Sequence, residues 1–208
     1  MKTQATIKQY IYFALLVVTS VLLSSCSNDK LQQLSYTDSI LAFGDSLTIG
    51  VGVSQSESYP SILATLSDRT VVNAGISGET TTEGLTRFNE TLHSAEPKLV
   101  LLLEGGNDII RNLPATQTKN NLDQMITMAK TYGADVILIG VPEKNLFTSV
   151  HPLYQELADQ HDLVFIHDII SSLIKKPKFK SDSVHFNAAG YRELAEEIFE
   201  VLKEHGAL

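Results

Sequence analysis

Ser39-Ile40-Leu41-Ala42-Phe43-Gly44-Asp45-Ser46-Leu47 is the stretch whose reading decides the fold. Apolar Ile40–Phe43 stops abruptly at Gly44-Asp45-Ser46. A short apolar run bounded by turn residues reads as a buried strand. Open α/β sheets build their sites beyond the carboxyl ends of their strands, so a hydroxyl there, that of Ser46, stands in a reactive place. Gly, Asp and Ser are also ordinary turn residues, and the triplet alone leaves a plain turn open.

The same pattern recurs outward from this stretch. Further strands are expected at Val71–Ala74, Leu99–Leu103, Val136–Ile139 and Leu163–Ile166. All are rich in Val, Ile and Leu with little alternation, as strands buried on both faces are. Helical stretches lie between them, at about Tyr59–Leu66, Thr80–His93, Thr116–Tyr132, Pro152–His161 and Ala188–His205. The last shows apolar spacing at Leu194, Ile198, Val201 and Leu202. Strand–helix alternation implies an α/β fold, a parallel sheet covered by helices on both faces with right-handed crossovers. One domain is expected over residues 38–208, with no repeat and no second core.

The N-terminus reads differently. Lys2 and Lys8 precede an apolar stretch, Ile11 to Leu23, too short to span a bilayer comfortably. This reads as a signal peptide over residues 1–25. The sole cysteine comes next in Leu23-Ser24-Ser25-Cys26, which resembles a bacterial lipobox whose cysteine is acylated. A lone cysteine in an exported chain has no internal disulfide partner. Residues 26–37 then read as a polar, lipidated tether. Several acyl chains on Cys26 would hold the protein firmly at a membrane. Ser27 after the cysteine resembles outer-membrane sorting, so the expectation is a lipoprotein on the periplasmic side of the cell envelope. An unmodified signal peptide with an incidental cysteine is the plainer alternative. The chain's net charge is −8, with its acids spread rather than clustered, and no basic patch of the kind a nucleic-acid binder carries stands out.

Function is sought in the loop after each strand. Gly44-Asp45-Ser46-Leu47 comes after the first, Gly75-Ile76-Ser77-Gly78-Glu79-Thr80 after the second, Glu104-Gly105-Gly106-Asn107-Asp108 after the third, and Gly140-Val141-Pro142 after the fourth. Asp182-Ser183-Val184-His185 precedes the last helix. Acyl transfer needs a nucleophile, a base, an orienter for the base and donors for the oxyanion. Ser46 can be the nucleophile and His185 its base. Asp182, three residues earlier, can hold the imidazole from the same turn. The N–H groups of Ser46 and Gly78 and the side-chain amide of Asn107 can serve as oxyanion donors.

These four blocks, in this order, resemble those of the SGNH hydrolases, also called GDSL esterases/lipases. The four letters fall on Ser46, Gly78, Asn107 and His185. Asn73-Ala74-Gly75-x-Ser77-Gly78-x-Thr80-Thr81 and Asn107-Asp108-Ile109-Ile110-Arg111 resemble the branch of periplasmic thioesterase/lysophospholipase and arylesterase enzymes. The resemblance implies a three-layer αβα sandwich on a five-stranded parallel sheet of flavodoxin-like order. It also implies a Ser46, His185, Asp182 triad with Gly78 and Asn107 in the oxyanion hole. Two departures stand out. Phe186 occupies a position where proline often comes after the histidine, and would alter the loop or widen an apolar wall. Glu104 touches the Gly-Gly pair, where the acid usually lies two residues before it.

Other residues read more plainly. Asp45 is expected to hold its turn, and Asp108 to cap the next one. His151, His161 and His167 lack metal-ligand spacing, so neither metal nor cofactor is expected. Gly50-Val51-Gly52 lacks a nucleotide loop's remaining signature, and Gly-x-Ser-x-Gly is absent around Ser46. Ile109, Ile110, Arg111, Leu113 and Phe147, with Phe186, are the expected substrate-binding residues of an acyl groove. The expected activity is hydrolysis of small acyl esters, thioesters or single-chain lipids by a monomer. A carbohydrate O-acetylesterase, or a non-catalytic binding lipoprotein, is the alternative.

Overall fold

The computed structural model describes residues 30–144 and 149–208. Residues 1–25, Cys26 and Phe147 lie outside the described residues, and with them the expected signal peptide, the expected lipidation site and one expected groove residue.

Five strands, β1 (Ser39–Gly44), β2 (Thr70–Gly75), β3 (Pro97–Leu103), β4 (Asp135–Ile139) and β5 (Val164–Ile166), form one sheet in the order β2-β1-β3-β4-β5. Every pairing is parallel. Leu41, Ala42 and Phe43 are wholly buried, as are Val100, Leu101 and Leu102 beside them. This two-faced burial is why the strands read as unbroken apolar runs.

The longer helices cover the two faces. These are α2 (Tyr59–Ser67), α3 (Thr81–Ala95), α5 (Ala115–Tyr132), α6 (Pro152–His161) and α8 (Ala188–Glu204). Helix α2 packs with α8, while α5 packs between α3 and α6. Three shorter helices, α1 (Ser46–Ile49), α4 (Gly106–Ile110) and α7 (Ile169–Ile174), begin at or near strand ends. The expected three-layer αβα fold is the fold observed.

The order places the topological switch between β1 and β3, since the chain runs outward to β2 and returns on the other side of β1. Ligand sites of such sheets lie at this crevice. Here β1 delivers Ser46 and β3 delivers Asn107. Gly44 and Gly75 lie side by side in the register. A Cβ on Gly44 would fall 2.0 Å from the Leu103 carbonyl, and one on Gly75 2.1 Å from the Ile49 N. Their bare backbones let α1 cross the strand ends closely enough to set Ser46 on the rim.

The stretch expected as a tether is packed on the domain from Leu31 onward. Leu31 and Leu34 are buried, and their N–H groups donate to the carbonyls of His205 and Ala207. The Gln32 N–H donates to Asp135 Oδ2 at 2.6 Å. Two apolar side chains in an otherwise polar segment account for the difference.

Candidate active site

Asp45 closes β1 and caps α1, its side chain accepting the Leu47 N–H at 3.1 Å. This cap fixes Ser46 at the first position of the helix. The hydroxyl Oγ lies 3.0 Å from His185 Nε2. On the other side of the ring, His185 Nδ1 lies 2.7 Å from Asp182 Oδ2. Asp182 Oδ1 accepts the N–H groups of Val184 and His185, at 2.9 and 2.8 Å. One carboxylate therefore shapes the loop and orients the ring. These bonds, with that from His185 first, hold the Asp182 carboxyl down at about 2. It stays ionised through the neutral range. An anionic Asp182 accepts the hydrogen bond from Nδ1–H, leaving Nε2 to accept from Ser46.

Phe186 does not line the cleft. It is wholly buried and meets Tyr191 edge-on, with ring centroids 5.6 Å apart. The expected apolar wall is instead a core anchor for the histidine loop. A short antiparallel bridge, Lys180 to Phe186, closes that loop.

Two further loops carry the other expected donors. Gly78 adopts a left-handed φ of +81° in the turn before α3. No turn or loop hydrogen bond of the described residues uses the N–H of Ser46 or Gly78. Asn107 Nδ2 donates to the Glu79 carbonyl at 2.9 Å and to Asp45 Oδ2 at 3.2 Å. Asp45 therefore does more than hold its own turn: it aims the Asn107 amide. Burial pushes Asp45 up to about 6, against the lowering effect of the Leu47 N–H.

Arg111, expected on the rim of the groove, reaches back to the glycine turn. Its Nη2 donates to the Gly78 carbonyl at 2.7 Å. Asp108 caps a neighbour rather than its own helix. Its carboxylate accepts the N–H and hydroxyl of Thr81, at 2.9 and 2.6 Å, and so ties α3 to α4. Glu79 is buried but paired with Arg87, whose Nε lies 2.7 Å away.

Glu104 has no such compensation. It is 0% exposed, its Oε1 accepts only the Gly105 N–H, and Oε2 has no partner. Burial, and then the nearby Asp45, raise its carboxyl well above the ordinary range. The folded chain therefore keeps a proton that the unfolded chain has lost. The stability linked to that proton is present below the ordinary carboxylate range and falls as pH rises. Glu104→Gln keeps the acceptor for Gly105 and removes the titration. Its melting temperature relative to wild type is expected to climb as pH rises from the ordinary carboxylate range, near about pH 4, into the neutral range. A constant offset in melts across that range would contradict this.

The cleft beside Ser46 is walled by Ile109 and Ile110 of α4, Val141 and Pro142 after β4, and Ile170 and Ile174 of α7. Ile109 and Ile110 are thus where the sequence places them. Leu113 instead faces a neighbouring groove with Asn112 and Lys144. The α7 wall and the Asp45–Asn107 contact are features that no sequence motif announces. His161 is paired with Asp123 at 2.6 Å, and His151 caps α6. Among the described residues, no group of three or more His, Cys, Asp or Glu could hold a metal.

A serine, an imidazole and a carboxylate in hydrogen-bonded series, beside an apolar cleft, define the arrangement of a serine hydrolase on an α/β sheet. Residues 42–193 match the model of the GDSL-like lipase/acylhydrolase family, and the chain belongs to that family. It is a serine ester hydrolase by that membership. The chain is 31% identical over 180 residues to an arylesterase of Vibrio mimicus, covering 81% of this chain and 90% of that one. It is also 31% identical over 161 residues to thioesterase 1/protease 1/lysophospholipase L1 of Escherichia coli K12, covering 72% and 76%. Among solved structures, TesA aligns with a TM-score of 0.71 at 27% identity, over 80% of this chain and 98% of that one. AlinE4, an SGNH-hydrolase family esterase, aligns with a TM-score of 0.65 at 28% identity, over 83% of this chain and 98% of that one.

Proposed function

We propose that this chain hydrolyses acyl esters and thioesters, single-chain lipid esters among them, through an acyl-enzyme on Ser46. The observation that carries the reading is the unbroken series Asp182 Oδ2, His185, Ser46 Oγ at the mouth of an aliphatic cleft. Ser46 Oγ attacks the acyl carbonyl as its proton passes to His185 Nε2. Stabilisation of the developing oxyanion is assigned to the N–H groups of Ser46 and Gly78 and to one Asn107 N–H, which gives up its 3.2 Å bond to Asp45 Oδ2 to make it. His185 then returns the proton to the departing alcohol or thiol. Water, deprotonated by the same nitrogen, releases the acid.

The arylesterase and thioesterase/lysophospholipase relatives support this substrate range. A p-nitrophenyl ester series from acetyl to palmitoyl tests it. Rates are expected to peak above acetyl, as the Ile109, Ile110, Ile170 and Ile174 wall fills. A sharp acetyl preference would favour a carbohydrate O-acetylesterase instead. Asn107→Ala is expected to lower kcat roughly 10²- to 10³-fold with KM little changed, since the donor acts on the transition state. Steady-state kinetics on p-nitrophenyl butyrate would show it.

The reading extends to the N-terminus. Leu23-Ser24-Ser25-Cys26 supports an exported lipoprotein acylated on Cys26, held on the periplasmic side of the envelope and acting as a monomer. Cys26→Ser should move the protein from the membrane to the soluble fraction. Persistence in the membrane fraction would defeat this part of the reading.

A further inference from the structure

Residues 175–180 read Lys-Lys-Pro-Lys-Phe-Lys. Four of the chain's 16 basic residues thus fall in six of its 208 positions, in a protein of net charge −8. No motif absorbs this run, and the fold shows where it lies. Helix α7 turns Ile170 and Ile174 into the wall of the Ser46 cleft, and the run begins at the next residue. Its backbone is held by the catalytic loop. Asn187 Nδ2 donates to the carbonyls of Lys178 and Lys180, at 2.9 and 3.2 Å, and Phe179 is buried beneath. Lys175, Lys176 and Lys178 are exposed and Lys180 is half-buried. None of the ion pairs among the described residues uses Lys176, Lys178 or Lys180.

The opposite lip is aliphatic and cationic too. Ile110 lines the cleft yet is 40% exposed, and Leu113, on the adjoining groove, is 39% exposed. Arg111 lies between them in sequence, and Lys144 Nζ donates to the Ile110 carbonyl at 2.8 Å. Nearby acids include Asp45, which lines the cleft and accepts the Leu47 N–H, Asp182, engaged with His185, Asp168 beside His167, and Glu143 in the neighbouring groove. Cations around exposed aliphatic side chains suit the headgroup–acyl boundary of a charged membrane. Nucleic acid would match the lysines but leave Ile110 and Leu113 unpartnered. The apolar stretch Ile11 to Leu23 also favours a membrane setting for this chain.

We propose that the lysine run 175–180, together with the aliphatic lip of the Ser46 cleft, docks this protein on an anionic phospholipid bilayer with the cleft mouth facing the lipid. The inference rests on the reading of that cleft as the acyl-ester site. Docking would let an ester pass from the bilayer into the cleft without crossing bulk water. It would also be sensitive to salt, because exposed charges are screened.

The chain has no tryptophan, so a single introduced one reports without background. The full-length Pro177→Trp protein is reconstituted into vesicles of phosphatidylcholine alone or with about 30 mol% phosphatidylglycerol, each with brominated acyl chains. The expected result is a blue-shifted emission and a several-fold greater bromine quench on the anionic vesicles, reversed by about 0.5 M salt. The quadruple variant Lys175→Gln/Lys176→Gln/Lys178→Gln/Lys180→Gln in the same background should abolish the difference. The pair Lys176→Gln/Lys178→Gln should lower the effective partition onto the anionic vesicles by roughly 30-fold. Hydrolysis of soluble p-nitrophenyl butyrate, unchanged in these variants, shows that they are folded. Equal quench on both vesicle types, or a difference that survives the lysine substitutions, would overturn the proposal. Failure of the wild type on p-nitrophenyl butyrate would strike the esterase reading instead, and the quench is read independently of it.

Discussion

His185→Ala is expected to lower kcat on p-nitrophenyl butyrate by about 10⁴- to 10⁶-fold, with little change in melting temperature. The magnitude comes from what the ring does. Its Nε2, 3.0 Å from Ser46 Oγ, is the base in hydrogen-bond reach of that hydroxyl. Without it the serine must attack as a neutral alcohol, and the leaving group departs without a proton. The fold should survive, because the loop is held by groups other than the imidazole. Asp182 Oδ1 still receives the backbone N–H groups of residues 184 and 185, and Phe186 still anchors the loop in the core. A stopped assay at high enzyme concentration, with a thermal melt of the same sample, separates the two effects. Wild-type turnover by His185→Ala would mean that another group takes the serine proton.

The second large effect is at Asp182. Asp182→Asn is expected to reduce kcat by about 10⁴-fold. Asparagine can still present an oxygen to the two backbone N–H groups. It then turns its NH₂ toward His185 Nδ1, which must accept rather than donate. The ring proton moves to Nε2 and points at Ser46, so the base offers a proton where it should take one. The carboxylate itself is not what titrates in an activity profile. Held at about 2 by the bond from His185 and the N–H of Val184, it remains charged until strongly acid conditions. The stability it lends to the loop is present above the ordinary Asp range, near about pH 4, and is lost only as pH falls toward about 2. A variant whose kcat falls less than about tenfold would show that Asp182 is not needed to set the tautomer.

Much of the fold was legible because its central strands, β1, β3 and β4, are buried on both faces. Ile40–Phe43 sits inside the observed β1, and Val136–Ile139 inside β4, for that reason. Helix α6 matches its expected bounds, since Pro152 fixes its first turn and Asp162, with a positive φ, its end. What escaped was short. Helices α1, α4 and α7 have four to six residues, too few to display a 3.6-residue period. Yet Ser46 and Asn107 stand in the first two of them, and Ile170 and Ile174 of the third form one side of the cleft wall.

The site residues could be named from loop positions, but their contacts could not. Phe186 follows His185 directly and still points into the core, because its packing partner, Tyr191, lies a turn into α8. Arg111 lies just beyond Asn107 in sequence, yet spends its guanidinium on the Gly78 carbonyl. The Asp45–Asn107 bond joins residues 62 positions apart, and no local pattern encodes it. Glu104 was visible as a departure, but only the folded chain shows a carboxyl oxygen buried without a partner.

Ser46 as a nucleophile activated by His185 is the claim on which the rest depends. Reaction with a fluorophosphonate, then mass spectrometry of the tryptic peptide 31–69, tests it most directly. The expected result is a phosphonyl adduct localised to Ser46, absent from Ser46→Ala and formed far more slowly in His185→Ala. No adduct on the wild-type protein, or equal labelling of Ser46→Ala, would contradict it.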